Sequence, residues 1–164
     1  MKSKTGTILL LALFGCAATG LLADGASGPA LKTRQQTAGE LAYHDHPPSE
    51  PLPATLDPAQ FHDDHAAFVS YTLAARIADT LYQVPCYCPC RKGLGHESLL
   101  DCYTSKHGVR CPTCQREVLF CFLQHKKGKT PAQIREAMAK GKTAKLDLAK
   151  YIDRLYSKIQ EPRK

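Results

Sequence analysis

The sequence lacks the patterns that identify several common classes of protein. Its apolar run at residues 8–14 is far shorter than the about 20 residues that a membrane-spanning helix needs. It shows no interleaving of basic and aromatic residues, so a nucleic-acid surface is not expected. No strand–helix–strand pattern surrounds the cysteines, which argues against a thioredoxin fold. The chain is instead rich in cysteine, because seven of its eight cysteines lie between residues 86 and 121.

Three of these cysteines, Cys86, Cys88 and Cys90, alternate with other residues. Pro89 favours extended backbone at the residue before it, and extended backbone places alternate side chains on one face. Neighbouring Cα atoms on that face are about 6.6 Å apart, which together with parallel Cβ directions is unsuited to a disulfide. Each thiol is therefore predicted to face a partner elsewhere in the chain. The available partners are Cys102, Cys111 and Cys114.

The remaining cysteines differ in their expected surroundings. Pro112 is typical of the first position of a helix, so Cys111 and Cys114 are predicted to lie at a helix N-terminus. The helix dipole there should lower a thiol pKa. Cys121 lies in an apolar stretch of the same predicted helix, and we interpret it as a buried, inert thiol.

The predicted fold is mainly α: a small cysteine-rich helical domain at residues 57–160, with a short extended C-x-C-x-C segment. Asp57 followed by Pro58 predicts a helix start, and the helical spacing that follows allows a break near Ser70. Pro112 starts a further helix, and residues 130–133 form a capping box with proline at the first helical position. Gly141 is expected to close that helix, and residues 148–159 predict a last amphipathic helix.

Residues 17–56 are predicted to be a disordered tether. They are rich in Ala, Gly, Pro, Ser, Gln and Thr and show no apolar periodicity. Such a composition does not bury enough apolar surface to offset the entropy of ordering the chain.

The N-terminal residues predict export. A basic start and the apolar run at residues 8–14 are typical of a signal peptide, here residues 1–16. Residues 13–17 resemble a bacterial lipobox, in which Cys16 becomes the lipidated first residue of the mature protein. We expect a lipoprotein anchored to a membrane of the bacterial cell envelope; a periplasmic or secreted protein is the alternative. Either location is an oxidising compartment.

Five segments together carry a resemblance: residues 85–90, 95–102, 107–108, 111–114 and 128–135. In this order and spacing they resemble the bacterial PCYCGC-motif family, with Pro89 where the family name has glycine. Many members are lipoproteins, and no member's activity defines the family. The resemblance therefore implies a type of domain and a location, without a reaction. The motif residues that it implies are Cys86, Cys88, Cys90, His96, Cys102, Cys111 and Cys114.

Three uses of the cysteines remain open from the sequence. Three disulfides would stabilise a domain of this size. Clustered thiolates, with His96 as an imidazole ligand, would bind a soft metal ion, copper(I) first and zinc second. A mixed design would combine disulfides with a reactive pair. We favour metal binding, with a disulfide-stabilised structural or interaction module, or a thiol-redox protein, as the alternative. No catalytic residue is predicted, because no third group that would orient a Cys/His pair can be identified.

The expected partners follow from these predictions: a membrane through the lipid anchor, a soft metal ion and a further envelope protein. Two histidine pairs lie outside the motif, His44 with His46 and His62 with His65. We interpret the second pair as part of a solvated helix start, where neighbouring aspartates complement the dipole. If the cysteines bind metal, both pairs could serve as capture ligands.

Overall fold

The helices of this protein begin and end largely where local sequence signals place them. The computed structural model describes residues 41–89 and 91–160. In this part of the chain the fold is mainly helical and contains no strand. The α-helices are α1 (His65–Arg76), α2 (Ala78–Tyr82), α3 (Arg91–Leu94), α4 (Asp101–Thr104), α5 (Pro112–His125), α6 (Pro131–Ala139) and α7 (Leu148–Gln160). Short 3₁₀ turns lie at Pro58–Phe61, Lys106–Arg110 and Lys142–Lys145.

Side-chain caps and proline explain several of these boundaries. Pro112 occupies the first turn of α5, as predicted. Thr130 and Gln133 form the predicted capping box at α6, in which each side chain bonds the other's backbone N–H. Gly141 adopts φ of 69° after α6, a left-handed conformation that favours glycine. These three predictions are confirmed. Each was possible because the helix boundary depends on residues that are adjacent in the sequence.

The start of the domain differs from the expected helix in two ways. Asp57 does cap the segment that follows, since its carboxylate accepts from the Ala59 N–H, but that segment is only a 3₁₀ turn. The first α-helix begins at His65, where the Asp64 carboxylate accepts from the Ala67 N–H at 3.0 Å. The suggested break near Ser70 is wrong: α1 is continuous, and the interruption comes at Ile77.

The core lies between α1, α5 and α7. Helix α1 contacts both other helices and buries Tyr71 and Leu73, while α5 buries Val118 and Leu119. Helix α7 is amphipathic, as predicted, with Ile152 buried in this core and charged side chains on its outer face. The core fixes the position of the first turn of α5, where the cysteines collect.

Residues 41–56, the last part of the segment predicted to be a tether, contact the helical domain. The imidazole of His44 stacks on Tyr82 with ring centroids 3.7 Å apart. The guanidinium of Arg135 lies 4.3 Å from the centre of the Tyr43 ring and donates to the Gln83 carbonyl. The Leu56 N–H donates to the Tyr103 carbonyl at 2.9 Å. Residues 17–40 lie outside the described residues, and the tether stays a prediction there.

Candidate metal centre

Segments distant in sequence meet at the start of α5. The loop after α2 is fixed by a hydrogen bond from the Leu99 N–H to the Val84 carbonyl at 2.8 Å. The buried Tyr103 hydroxyl donates to the Cys114 carbonyl at 2.7 Å, which joins α4 to α5. The Tyr71 hydroxyl of α1 donates to the Ser105 carbonyl at 2.5 Å. Buried tyrosines therefore hold together the segments that carry the cysteines.

Gly108 allows these segments to approach closely. A side chain at this position would place its Cβ 3.0 Å from the Cys102 carbonyl oxygen and 3.0 Å from the Tyr103 ring. Neither atom belongs to a flexible side-chain end, so a larger residue would push the 3₁₀ turn away from α4. This contact explains why glycine follows His107 in the motif.

Three buried thiols form a triangle. The Sγ atom of Cys86 lies 3.6 Å from that of Cys102 and 3.7 Å from that of Cys114. The third side, between Cys114 and Cys102, measures 3.3 Å. We call these three residues the inner triad. All three are almost wholly inaccessible to solvent.

A second group of ligand atoms adjoins the inner triad. It consists of Cys88, His107, Cys111 and Cys114, whose ligand atoms all lie within 4.8 Å of one another. We call it the outer tetrad. The Sγ atoms of Cys88 and Cys111 are 3.2 Å apart, and Cys111 and His107 are partly exposed. The outer tetrad and the inner triad have one residue in common, Cys114.

Two histidines meet beside the sulfurs: His107, a member of the outer tetrad, and His96, which adjoins the inner triad. The Nδ1 atom of His96 lies 3.4 Å from Cys102 Sγ, and the His96 and His107 rings meet edge to face at 5.0 Å. The Nε2 atom of His107 is buried and has no hydrogen-bond partner among the described residues. Burial, and then the neighbouring His96, lower the pKa of His107 and so favour neutral imidazole, the form that binds metals. A surface cavity of about 580 Å³ touches both rings and offers a path for an ion.

The sulfur spacing suits a shared metal ion better than paired disulfides. Sulfurs in a disulfide are about 2.05 Å apart, whereas tetrahedral ligands at zinc–sulfur bonds of about 2.3 Å stand about 3.8 Å from one another. The separations in the inner triad run from 3.3 to 3.7 Å. Moreover, each sulfur of the triad has two sulfur neighbours, while a disulfide joins a sulfur to one. No disulfide joins any two of the described cysteines in these groups.

The thiol that is easiest to ionise is Cys86. Hydrogen bonds from Cys102 and then Cys114 stabilise its thiolate and lower the pKa of Cys86 to about 3. The Cys88 N–H also donates to this sulfur, at 3.3 Å. The predicted lowering of a thiol pKa by the helix N-terminus is wrong for Cys114, whose pKa is raised. Its hydrogen bonds to Cys102 and Cys86, together with burial, outweigh the helix dipole.

A buried carboxyl group lies beside the thiols. Glu117, one turn after Cys114 on α5, accepts the Tyr87 N–H at 3.0 Å through Oε1, while Oε2 has no hydrogen-bond partner among the described residues. Burial, and then the negative charge of Cys86, raise the pKa of Glu117 to about 9. The group is therefore a neutral carboxylic acid at neutral pH, and it adds no negative charge to the cluster.

Most of the site residues predicted from the sequence come together. Cys86, Cys88, Cys102, Cys111, Cys114 and His96 all contribute to these groups. Cys90 and Cys16 lie outside the described residues, so their predicted roles as ligand and lipidation site stay predictions. His107 was missed, although it lies in the quoted motif only four residues before Cys111. That proximity to a cysteine was the signal that could have identified it.

The other histidines lie apart from the cluster. His65 stacks on Tyr156, and His62 pairs with Asp63 before α1 begins, so the two do not share a helix face. His44 stacks on Tyr82 at the surface. Cys121 is fully buried, as predicted, with its sulfur 3.8 Å from that of Met138.

None of the described helices is both long and apolar enough to cross a membrane. No curated protein and no solved structure shows significant similarity to this chain. A family model described as "protein of unknown function with PCYCGC motif" matches residues 7–160. The chain therefore belongs to the PCYCGC-motif family.

Proposed function

We propose that this protein binds a soft metal ion, copper(I) or zinc(II), through the outer tetrad. The observation that carries the proposal is the convergence of three sulfurs and one imidazole nitrogen within 4.8 Å of one another. Thiolate sulfur selects these ions by its softness, and four ligands complete a tetrahedral zinc site. The unpartnered Nε2 atom of His107 supports this use, because a buried polar atom without a partner is costly.

The metal binding is proposed to be reversible or structural, without turnover. The three sulfurs and the imidazole of the outer tetrad are all used as ligands, as in structural zinc sites that leave no position for a reacting water. Cys111 and His107 are both partly exposed, and the surface cavity touches the His107 ring, so an ion would enter or leave on the His107 side of the tetrad.

A thiol-redox role is the second candidate function. It is favoured by the 3.2 Å contact between the sulfurs of Cys88 and Cys111 and by the partial exposure of Cys111. An oxidant could convert this pair to a disulfide, which would remove two of the three sulfurs of the outer tetrad. Oxidation of this pair and metal binding by the outer tetrad are therefore mutually exclusive states.

We also propose that the protein is exported and anchored to the bacterial envelope membrane through a lipid on Cys16, where it would meet an envelope protein partner. The support is the lipobox-like sequence at residues 13–17. Cys16→Ser should release the protein from the membrane fraction without changing its metal content. Identical fractionation of wild type and variant as soluble proteins would contradict the anchor.

The metal proposal is tested by competition between the reduced protein and a chromophoric chelator. The wild-type protein should remove at least one equivalent of zinc(II) or copper(I) from the chelator, with release of protons as thiols ionise. Cys111→Ser should weaken this uptake by more than about 100-fold, since even outer-shell changes cost about 10–100-fold.

The matched control is Cys121→Ala, which removes a buried thiol from the same helix and should leave uptake unchanged. A reduced, folded wild-type protein that leaves all of the metal on the chelator would refute the proposal.

A further inference from the structure

The inner triad forms a second group of ligand atoms that the outer tetrad does not use. The two groups are contiguous, and Cys114 is the one residue that belongs to both. We propose that the centre holds two divalent soft ions, of the zinc(II) type, with the Cys114 thiolate bridging them. This inference rests on the proposed function, since it assigns a second ion beside the first.

The geometry of the inner triad is that of a site for its own ion. Its sulfur–sulfur distances, 3.3, 3.6 and 3.7 Å, are close to one another and to the spacing around one zinc ion. His96 is placed beside this triad, because its Nδ1 atom lies 3.4 Å from Cys102 Sγ. The three sulfurs supply thiolate ligands for the second ion, and His96 offers an imidazole on the Cys102 side of the triad.

The number of ligands exceeds what one ion can use. Five thiols and two imidazoles lie in the connected cluster, and a four-coordinate ion takes four of them. A single ion in the outer tetrad would leave the buried sulfurs of Cys86 and Cys102 without a cation. Sharing Cys114 gives the first ion four ligands and the second ion three sulfurs, with His96 beside Cys102 as the seventh group.

Charge favours divalent ions in this arrangement. Five thiolates around two divalent ions leave one net negative charge, as do the three thiolates of the outer tetrad around one divalent ion. The second ion therefore neutralises the two thiolates that it adds. Two monovalent ions would leave three negative charges in a buried centre, which is costly. Two-ion occupancy is thus specific for divalent metals.

The position of Cys114 suits a bridge. It lies in the first turn of α5, and the Tyr103 hydroxyl holds its carbonyl at 2.7 Å. Its sulfur lies 3.3 Å from Cys102 Sγ and within 4.8 Å of the other ligand atoms of the outer tetrad. A thiolate has lone pairs for two metals, so one rigidly held sulfur can serve both ions.

The test uses the full reduced chain loaded with cadmium(II) enriched in an NMR-active isotope. Titration should reach two bound ions for each protein molecule, seen by native mass spectrometry. Cadmium NMR should show two resonances with a scalar coupling between them, because the two nuclei share the Cys114 sulfur.

The variants separate the two sites. Cys86→Ser combined with Cys102→Ser should retain one ion and lose the coupling. Cys121→Ala should retain both ions and the coupling.

The outcomes distinguish this inference from the proposed function. Binding of one cadmium ion at saturation would overturn the two-ion centre and leave the outer tetrad standing. Two ions without coupling would overturn the bridge. No binding at all would refute the proposed function itself. The number of bound ions and the coupling are both measured on the wild-type protein. The test therefore remains valid even if a substitution impairs folding.

Discussion

Helix α5 carries two cysteines two turns apart, Cys114 and Cys121, and neither side chain has any exposed surface. The sulfur of Cys114 meets those of Cys86 and Cys102 at 3.7 and 3.3 Å. The sulfur of Cys121 meets the thioether of Met138 at 3.8 Å within an apolar core. The same helix thus places one thiol in a polar cluster and the other in hydrophobic packing.

The comparison teaches that burial does not decide what a cysteine does; its neighbours do. Burial raises the pKa of Cys121, so this thiol stays protonated and inert. The pKa of Cys114 is raised as well, but through hydrogen bonds with two other thiols. At Cys114 a metal ion would replace the protons that the three thiols share. At Cys121 an ion would lack the other ligands that it needs.

The largest expected effect comes from removing the sulfur that both groups share. Cys114→Ser should abolish tight binding of zinc(II), because it takes one ligand from the outer tetrad and one from the inner triad. Equilibrium dialysis followed by elemental analysis measures the bound metal. Cys121→Ala is the matched control, and equal metal loss in both variants would break the distinction between the two cysteines.

Metal should also stabilise the fold strongly. At a free zinc concentration about 1,000 times the dissociation constant, binding adds about 4 kcal/mol to the free energy of unfolding. For a domain of this size the thermal midpoint should rise by more than about 10 °C. Thermal unfolding followed by circular dichroism, with and without zinc, checks this shift.

The same thermal experiment on Cys114→Ser should show almost no rise with zinc. A similar rise in wild type and variant would mean that zinc stabilises the protein from a site that does not involve Cys114.

The acid beside the cluster predicts a dependence on pH in the metal-free protein. Glu117 has its pKa raised from 4.5 to about 9, so from pH 5 to pH 8 the unfolded chain releases this proton and the folded chain keeps it. This group therefore lowers the free energy of unfolding as pH rises. The Glu117→Gln variant has no such group to titrate. Its free energy of unfolding, relative to that of the wild type, should therefore increase steadily from pH 5 to pH 8.

Urea denaturation of both proteins at several pH values measures that difference. The lowered pKa of Cys86 acts in the opposite direction, but it is present in both proteins and largely cancels in the comparison. A flat profile for Glu117→Gln would show that the carboxyl is already ionised in the folded protein.

The smallest effect is expected from substitution of Cys121, the cysteine of α5 that lies in the apolar core. Cys121→Ala should lower the free energy of unfolding by about 1–2 kcal/mol, as a small buried truncation does. Metal stoichiometry should stay as in the wild type, because the Cys121 sulfur contacts Met138 and not the ligand cluster. Denaturation with parallel metal analysis checks both, and a lost metal equivalent would place Cys121 in the centre.

Local signals predicted much of this fold from the sequence. Pro112, the capping box of Thr130 with Gln133, and Gly141 fix helix ends through residues adjacent in the chain. The break at Ile77 was not predicted, because no glycine or proline marks it. The helical start expected at Pro58 became a 3₁₀ turn, since Asp64 supplies a second cap seven residues later.

The sequence predicted most of the residues that form the candidate site, but it did not predict how they are arranged. The alternation of Cys86 and Cys88 correctly indicated partners elsewhere in the chain. Which thiols meet depends on Tyr71 and Tyr103, whose hydroxyls hold loops more than ten residues away. The sequence pattern does not encode such contacts locally. His107 lies four residues before Cys111, but its place among the ligands becomes visible once the fold brings its imidazole to the sulfurs.

The most direct test of the central claim is native mass spectrometry of the full chain, isolated without oxidant and with zinc present, followed by acid unfolding and thiol alkylation. The account predicts bound zinc in the native spectrum, and alkylation of Cys86, Cys88, Cys102, Cys111 and Cys114 once the metal is removed. A metal-free native protein in which these cysteines resist alkylation, with its mass reduced by two hydrogens for each disulfide, would contradict it.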